Sequence, residues 1–359
     1  MTSLIQSPLT RTFAGPEHTP FGRRLRSPRG ARIPLVVVTG FLGAGKTTLI
    51  RALLASEAGA GSLVIVNEFG EVGIDDALLR AGGDATVLLG NGCLCCVLRS
   101  DLQRTLMEIL ADRACGKLPA FQQIILETSG LADPVPILNT LTGDRGLSAE
   151  LHVQAVVTVI DAALGAGALD NAPEARRQAV VADRFIVTKA DRAGEERTAA
   201  LEARLRAINP AAPIARAEHG HVPPEVLLGD NAVLVEPAAW RTRDTRATHS
   251  DNVESFCLHF DQPMDWPVYE QVMGLIANLR GGDLLRAKGL LAITGCRGPV
   301  VVHQVQHLGA PPVELESWPG AAEHGGEAGS RLVFITRGIA RADVEALFAI
   351  ALRLATPLP

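Results

Sequence analysis

The chain of 359 residues has no run of 18 uncharged apolar residues; its longest candidate, Ala155–Ile160, stops at Asp161. A membrane-spanning helix needs about 20 such residues, so no span is expected. Nor is there a basic excess. Lys and Arg number 34 against 39 Asp and Glu, a formal net charge of −5, whereas a wholesale nucleic-acid binder carries a basic footprint. An apolar leader is missing as well. Residues 1–32 hold Arg11, Arg23, Arg24, Arg26, Arg29 and Arg32 with a single acid, Glu17, and read as a flexible basic tail. The cysteines are not spread as a disulfide framework, because three of the six crowd into Cys93-Leu-Cys-Cys96. Without a secretory leader, such crowding points to reduced thiols and a metal. A soluble cytoplasmic protein is expected, with no membrane and no nucleic acid among its partners.

What is present suits a folded protein of about two domains. Apolar residues make up 47% and charged residues 20%, enough for a core. From Ile33 to Val235, strand-like runs at Leu35–Thr39, Leu63–Asn67, Gln123–Glu127, Val153–Ile160 and Arg184–Thr188 alternate with helical patterns at Lys46–Ser56, Arg99–Ala114, Pro134–Leu141, Ala172–Ala182 and Glu195–Ile208. Near-continuous Val, Ile and Leu strands separated by helices predict an α/β domain over 33–235, its mostly parallel sheet covered on both faces. Ligands of such sheets bind beyond the carboxyl ends of the strands. Residues 236–252 read as a linker. A smaller α+β domain over 253–355 follows, with strands at Ser255–Phe260, Leu290–Ile293, Val300–Gln306 and Arg331–Thr336 and helices at Val268–Leu279 and Arg341–Leu352. No internal repeat is visible.

The run Leu35–Thr39 leads into Gly40-Phe-Leu-Gly-Ala-Gly-Lys-Thr-Thr48. This is the G-x-x-x-x-G-K-T loop, placed between a strand and a helix as its chemistry requires. Gly40, Gly43 and Gly45, with Ala44, let consecutive backbone N–H groups face a phosphate. The helix beginning at Lys46–Thr48 adds the positive end of its dipole. Lys46 is placed to reach the outer phosphates of a nucleoside triphosphate, and the Thr47 hydroxyl to ligate Mg²⁺.

Thr188-Lys-Ala-Asp191 ends a strand and resembles the N-K-x-D motif of GTPases, with Thr in place of Asn. A carboxylate at Asp191 accepts from the two donors of guanine that adenine lacks; the plainer alternative is a helix cap. Glu127, at another strand end with Gly130 three residues on, is a second anchor for Mg²⁺ or a cap of the next helix. Thiolates at Cys93, Cys95 and Cys96 suit Zn²⁺ or Cu(I) and leave a fourth position open; buried apolar cysteines are the alternative. Glu68 and Glu71 read equally as extra metal ligands, nucleotide-sensing residues or solvated loop acids. His303 and His307 fall on one face of a strand-like run, and His219 and His221 flank a glycine; both pairs read as surface or core histidines.

Taken in order, Gly40–Thr48, Asn67-Glu-Phe-Gly70, Gly92-Cys-Leu-Cys-Cys96, Glu127–Pro134 and Thr188–Asp191 resemble the CobW-like metal-chaperone GTPases. Phe256-Cys-Leu-His-Phe260, Leu285-Arg-Ala-Lys-Gly289, Trp318-Pro319 and Leu332–Arg337 are similar to that family's second domain. The resemblance implies a metal handler that binds its ion at Cys93, Cys95 and Cys96, hydrolyses GTP with Mg²⁺, and passes the ion to a metal-dependent client protein. Zinc is the ion first expected, with cobalt and nickel as alternatives. The long histidine-rich tract of many relatives is missing. Three rivals are a zinc sink or sensor with a structural nucleotide, a small-molecule kinase, and a cobalt- or nickel-directed maturation GTPase. The kinase is disfavoured by Thr188–Asp191.

Overall fold

In a computed structural model, the residues described are 32–67, 86–88, 97–229, 246–248, 253–310, 312–315, 317–318 and 329–355. They fall into two compact units divided near residue 231. The first carries seven strands: β1 (Ile33–Thr39), β2 (Ser62–Asn67), β3 (Thr86–Leu88), β4 (Gln123–Thr128), β5 (Leu151–Asp161), β6 (Arg184–Thr188) and β7 (Ile214–Arg216). Their order is β3-β2-β4-β1-β5-β6-β7, and every pairing is parallel. The composition of the strands explains this. Leu35, Val36, Val37 and Val38 are all at most 1% exposed, so β1 is covered on both faces, as a near-unbroken branched apolar run demands.

Helices Lys46–Leu54, Val97–Ala114, Pro134–Gly143, Pro173–Val180 and Glu195–Ile208 join the strands, close to where the apolar periodicity places them. Four short helices (Leu147–Glu150, Gly165–Asn171, Ala190–Ala193 and Pro224–Leu228) and the strands β3 and β7 were not foreseen as elements. Each is too short for a period to register. Arg32, read as part of the tail, is buried and donates to Ser148 O at 3.3 Å.

Two arginines fix the far side of this sheet. Arg184, 1% exposed, donates to Val226 O and Gly229 O at 2.7 Å and to Glu225 O at 3.2 Å. It thereby ties down the end of the helix Pro224–Leu228, where Glu225 O also accepts from Gly229 N at 2.8 Å. Arg216 grips Glu195 with two nitrogens (2.7 and 2.9 Å) and Glu202 with a third (2.6 Å). The guanidinium holds the Glu195 carboxyl below the usual range.

The second unit is an antiparallel sheet in the order β12-β11-β10-β14-β9-β8, with β13 beside β11. Its strands are β8 (Arg246–Thr248), β9 (Val253–Phe260), β10 (Leu284–Leu291), β11 (Val300–Val305), β12 (Leu308–Gly309), β13 (Val313–Glu314) and β14 (Ser330–Arg337). Alternation decides which side is core. Phe256, Leu258, Leu332 and Phe334 turn one way and pack with Val272, Val344 and Phe348 of the helices Trp266–Arg280 and Arg341–Ala355; the Phe256 and Phe334 rings stack at 5.4 Å.

Three expectations are corrected here. Arg246–Thr248, inside the stretch read as linker, pairs with β9. The strand read at Leu290–Ile293 is Leu284–Leu291, hidden from a hydropathy reading because Arg286 and Lys288 interrupt it while being buried. His303 and His307 do not share a strand face: Gln306 adopts φ 53° and the chain reverses, leaving His307 in the turn between β11 and β12.

Candidate functional site

The phosphate loop leaves β1 between its two neighbours, β4 and β5. Gly40 turns out of the strand with φ 142°, so close to β5 that a Cβ there would lie 2.2 Å from Val159 O. Gly43 and Gly45 also have positive φ, 71° and 96°. The loop then enters the helix Lys46–Leu54. Lys46, only 8% exposed, folds back over the loop, and its Nζ donates to Gly40 O (2.9 Å) and Phe41 O (3.4 Å). The ammonium is thereby held above the backbone turn where a phosphate would sit.

Next to it, the Thr47 hydroxyl donates to Glu127 Oε1 at 2.9 Å. Glu127 stands at the end of β4 in register with Val38 and is 2% exposed. The adjoining Thr128 hydroxyl donates to Thr39 Oγ1 at 2.8 Å, tying β4 to β1 just below the loop. A buried carboxylate beside a hydroxyl is the oxygen-rich pair that a hard divalent cation takes. The helix that follows is capped by Asp133, whose Oδ1 accepts from Val135 N at 3.0 Å. Glu127 is therefore not its cap.

The other flank of the loop is held by β5 and β6. The buried Thr188 hydroxyl donates to Ala44 O at 2.7 Å. Lys189, in a left-handed conformation with φ 58°, donates to Gly43 O and to Asp161 Oδ2, both at 2.7 Å. Asp161 in turn accepts from the backbone N–H of Ala163 and Leu164. Thr188 and Lys189 thus bind the phosphate loop from side chains that follow another strand, and Asp191 stands exposed in the short helix Ala190–Ala193. Thr48 lies on the opposite side of the same helix start, against the turn Glu218–His221, where Gly220 packs on its Cγ2. That turn was missed as a site element. It leaves β7 beside β6, with Ala217 N donating to Val187 O at 2.8 Å, and borders the Thr188–Asp191 end of the site. His219 within it has φ 50°. A histidine-glycine pair just after a strand was the only signal, and it became readable once β7 was known to be a strand.

A small cavity of about 30 Å³ opens behind the loop, walled by Phe41, Leu42, Ile160, Leu164, Leu169 and Gln178 among others. Cys93, Cys95, Cys96, Glu68 and Glu71 lie outside the described residues. Among the described residues no group of three or more His, Cys, Asp or Glu is arranged around a common metal position, and no helix is long and apolar enough to cross a membrane.

Comparison with known proteins agrees with this arrangement. Residues 34–216 match the family described as CobW/HypB/UreG, nucleotide-binding domain, and residues 253–352 match the cobalamin synthesis protein cobW C-terminal domain. Zinc chaperone YjiA of Escherichia coli is 31% identical over 320 residues, which cover 88% of this chain and 98% of the relative. Zinc chaperone CobW of Pseudomonas aeruginosa is 35% identical over 306 residues, with 74% and 78% covered. The crystal structure of Zn(II)-bound YjiA GTPase from Escherichia coli superposes with a TM-score of 0.66 at 28% identity, covering 89% of this chain and 99% of that one.

Proposed function

The chain belongs to the CobW family, and on that premise we propose that it is a GTP-hydrolysing metallochaperone that carries zinc and delivers it to a client protein. The reading rests above all on the loop Gly40–Gly45, gripped from one side by Lys46 and from the other by Thr188 and Lys189, with Thr47 and Glu127 paired beneath it. These residues fit a nucleotide triphosphate and its magnesium. The glycine-bearing turn presents backbone N–H groups to phosphate oxygens. With nucleotide bound, Lys46 would exchange its bonds to Gly40 O and Phe41 O for the outer phosphates, and Thr47 and Glu127 would hold Mg²⁺, directly or through water. The bound cation neutralises phosphate charge. Thr188 and Lys189 set the strand end from which Asp191 accepts the two donors of guanine. No arginine finger or water-positioning side chain is identified among the described residues, so intrinsic turnover is expected to be slow.

Zinc enters as cargo, held by Cys93, Cys95 and Cys96 with Glu68 as a candidate fourth ligand; thiolates select it over magnesium. The topology supports communication between cargo and nucleotide. The segments bearing Glu68 and the thiols leave the carboxyl ends of β2 and β3, at the same sheet edge as the phosphate loop, and β3 lies three strands from β1, about 14 Å away at the usual strand spacing. Hydrolysis changes zinc affinity only if the GTP and GDP states hold zinc differently, and zinc must then change nucleotide affinity by the same factor. Chelator competition measures this. Zinc affinity is expected to differ about fivefold or more between a non-hydrolysable GTP analogue and GDP; equal affinities refute the coupling. Replacing Cys93, Cys95 and Cys96 together by Ser should abolish tight zinc binding and leave GDP binding intact, and retained zinc binding would place the site elsewhere. Phosphate release no faster than in Lys46→Ala would overturn the enzymatic reading.

A further inference from the structure

We propose that Gln178 is a positioning residue for the third phosphate: its carboxamide sets the loop 129–133, and through that loop the preference for GTP over GDP. The inference rests on the nucleotide site described above.

Gln178 lies in the helix Pro173–Val180, far from the phosphate loop in sequence, and is 1% exposed. Burying a carboxamide is costly unless its donors are used. Here Nε2 donates to two carbonyls of one loop, Gly130 O at 3.2 Å and Ala132 O at 3.0 Å. The backbone carbonyl of Gln178 accepts from the Thr158 hydroxyl at 2.8 Å, which pins this part of the helix to β5. The preceding residue extends the grip: Arg177 Nη1 stands 3.7 Å from Asp133 Oδ2, at the point where Asp133 caps the next helix.

The other side of this loop meets the phosphate loop. A Cβ on Gly130 would lie 2.7 Å from Leu42 N, so the two backbones are in direct contact. The loop is therefore held between the tip of the phosphate loop and the helix bearing Gln178. It also begins immediately after Glu127 and Thr128, the pair that meets Thr47 and Thr39. GTP and GDP differ in one phosphate, the outermost, towards which Lys46 is placed. On the proposed site, discrimination between them would fall to the backbone next to Lys46, Thr47 and Glu127, where Gly130 meets Leu42. Gln178 lines the cavity behind that backbone with Phe41 and Leu42, so it acts through Gly130 and Ala132. A ligand shifts a protein only through differential affinity, and a loop held rigidly in one place favours one nucleotide.

Gln178→Met keeps the volume and removes both donors. Affinities for GDP and for a non-hydrolysable GTP analogue, each with Mg²⁺, are the readout. GDP affinity is expected to stay within about twofold, while analogue affinity falls about tenfold, because only the loop 129–133 loses its two anchors. Arg177→Met, at a half-exposed side chain, should shift the ratio the same way by about two- to threefold; it carries the test should Gln178→Met fail to fold. Equal losses for both nucleotides, or an unchanged ratio, overturn the proposal. The two readings fail separately. A wild-type protein that hydrolyses no GTP sinks the chaperone reading, whereas an active wild type whose variants keep its affinity ratio sinks this one.

Discussion

Two glycines of the phosphate loop should respond very differently to the same added methyl group. Gly40 has φ 142°, a region that side chains avoid, and its Cβ would stand 2.2 Å from Val159 O on the neighbouring strand, well inside contact. Gly40→Ala therefore pays twice: about 1–3 kcal/mol for the backbone conformation and about 1–3 kcal/mol for overpacking against a backbone atom that the sheet holds in place. Gly43 has φ 71° with nothing within 4 Å of its Cβ position. Gly43→Ala costs about 1–2 kcal/mol for the left-handed conformation, offset by about 0.4–1 kcal/mol from stiffening the unfolded chain. In a unit of about 200 residues each kcal/mol moves Tm by about 2–4 °C. Thermal unfolding of the nucleotide-free protein should thus fall by about 5–20 °C for Gly40→Ala and by less than about 6 °C for Gly43→Ala. Equal shifts, or a Gly40→Ala protein within about 3 °C of wild type, would refute the claim that strand contact at Val159 O governs this turn.

Thr188→Val removes the hydroxyl that donates to Ala44 O at 2.7 Å while keeping the shape. Leaving a buried carbonyl unmatched costs about 1–3 kcal/mol, so Tm and urea midpoint should both drop, and unchanged unfolding would show that Thr188 does not brace the loop. Thiol reactivity separates the remaining cysteines. In a chain with Cys93, Cys95 and Cys96 changed to Ser, Ellman's reagent at pH 8 should release one equivalent at once, from exposed Cys115. Burial pushes the Cys257 thiol up to about 12, and burial together with the Glu314 carboxylate does the same to Cys296; both are expected to react more slowly than Cys115. Fast labelling of Cys257, read by mass spectrometry of its peptide, would contradict the packing of β9.

The sequence by itself determined the parallel sheet and the identity of the phosphate loop. Branched apolar runs of five to seven residues, such as Arg184–Thr188, have a period and a boundary that local chemistry sets, and Glu195–Ile208 carries a whole helical pattern. The places of Lys46, Thr47 and Glu127 in the fold were legible for the same reason, each falling at a strand end or helix start that the pattern marks. Contacts between distant segments were not legible. Gln178 reaching Gly130 and Ala132, Lys189 reaching Gly43, and the turn at Gly220 meeting Thr48 join residues 46 to 172 positions apart. Such contacts depend on strand order, β4-β1-β5-β6-β7, which no hydropathy period encodes. Buried Arg286 and Lys288 hid β10 in the same way, because burial of a charge is decided by neighbours across the sheet and leaves no trace in the run that contains it.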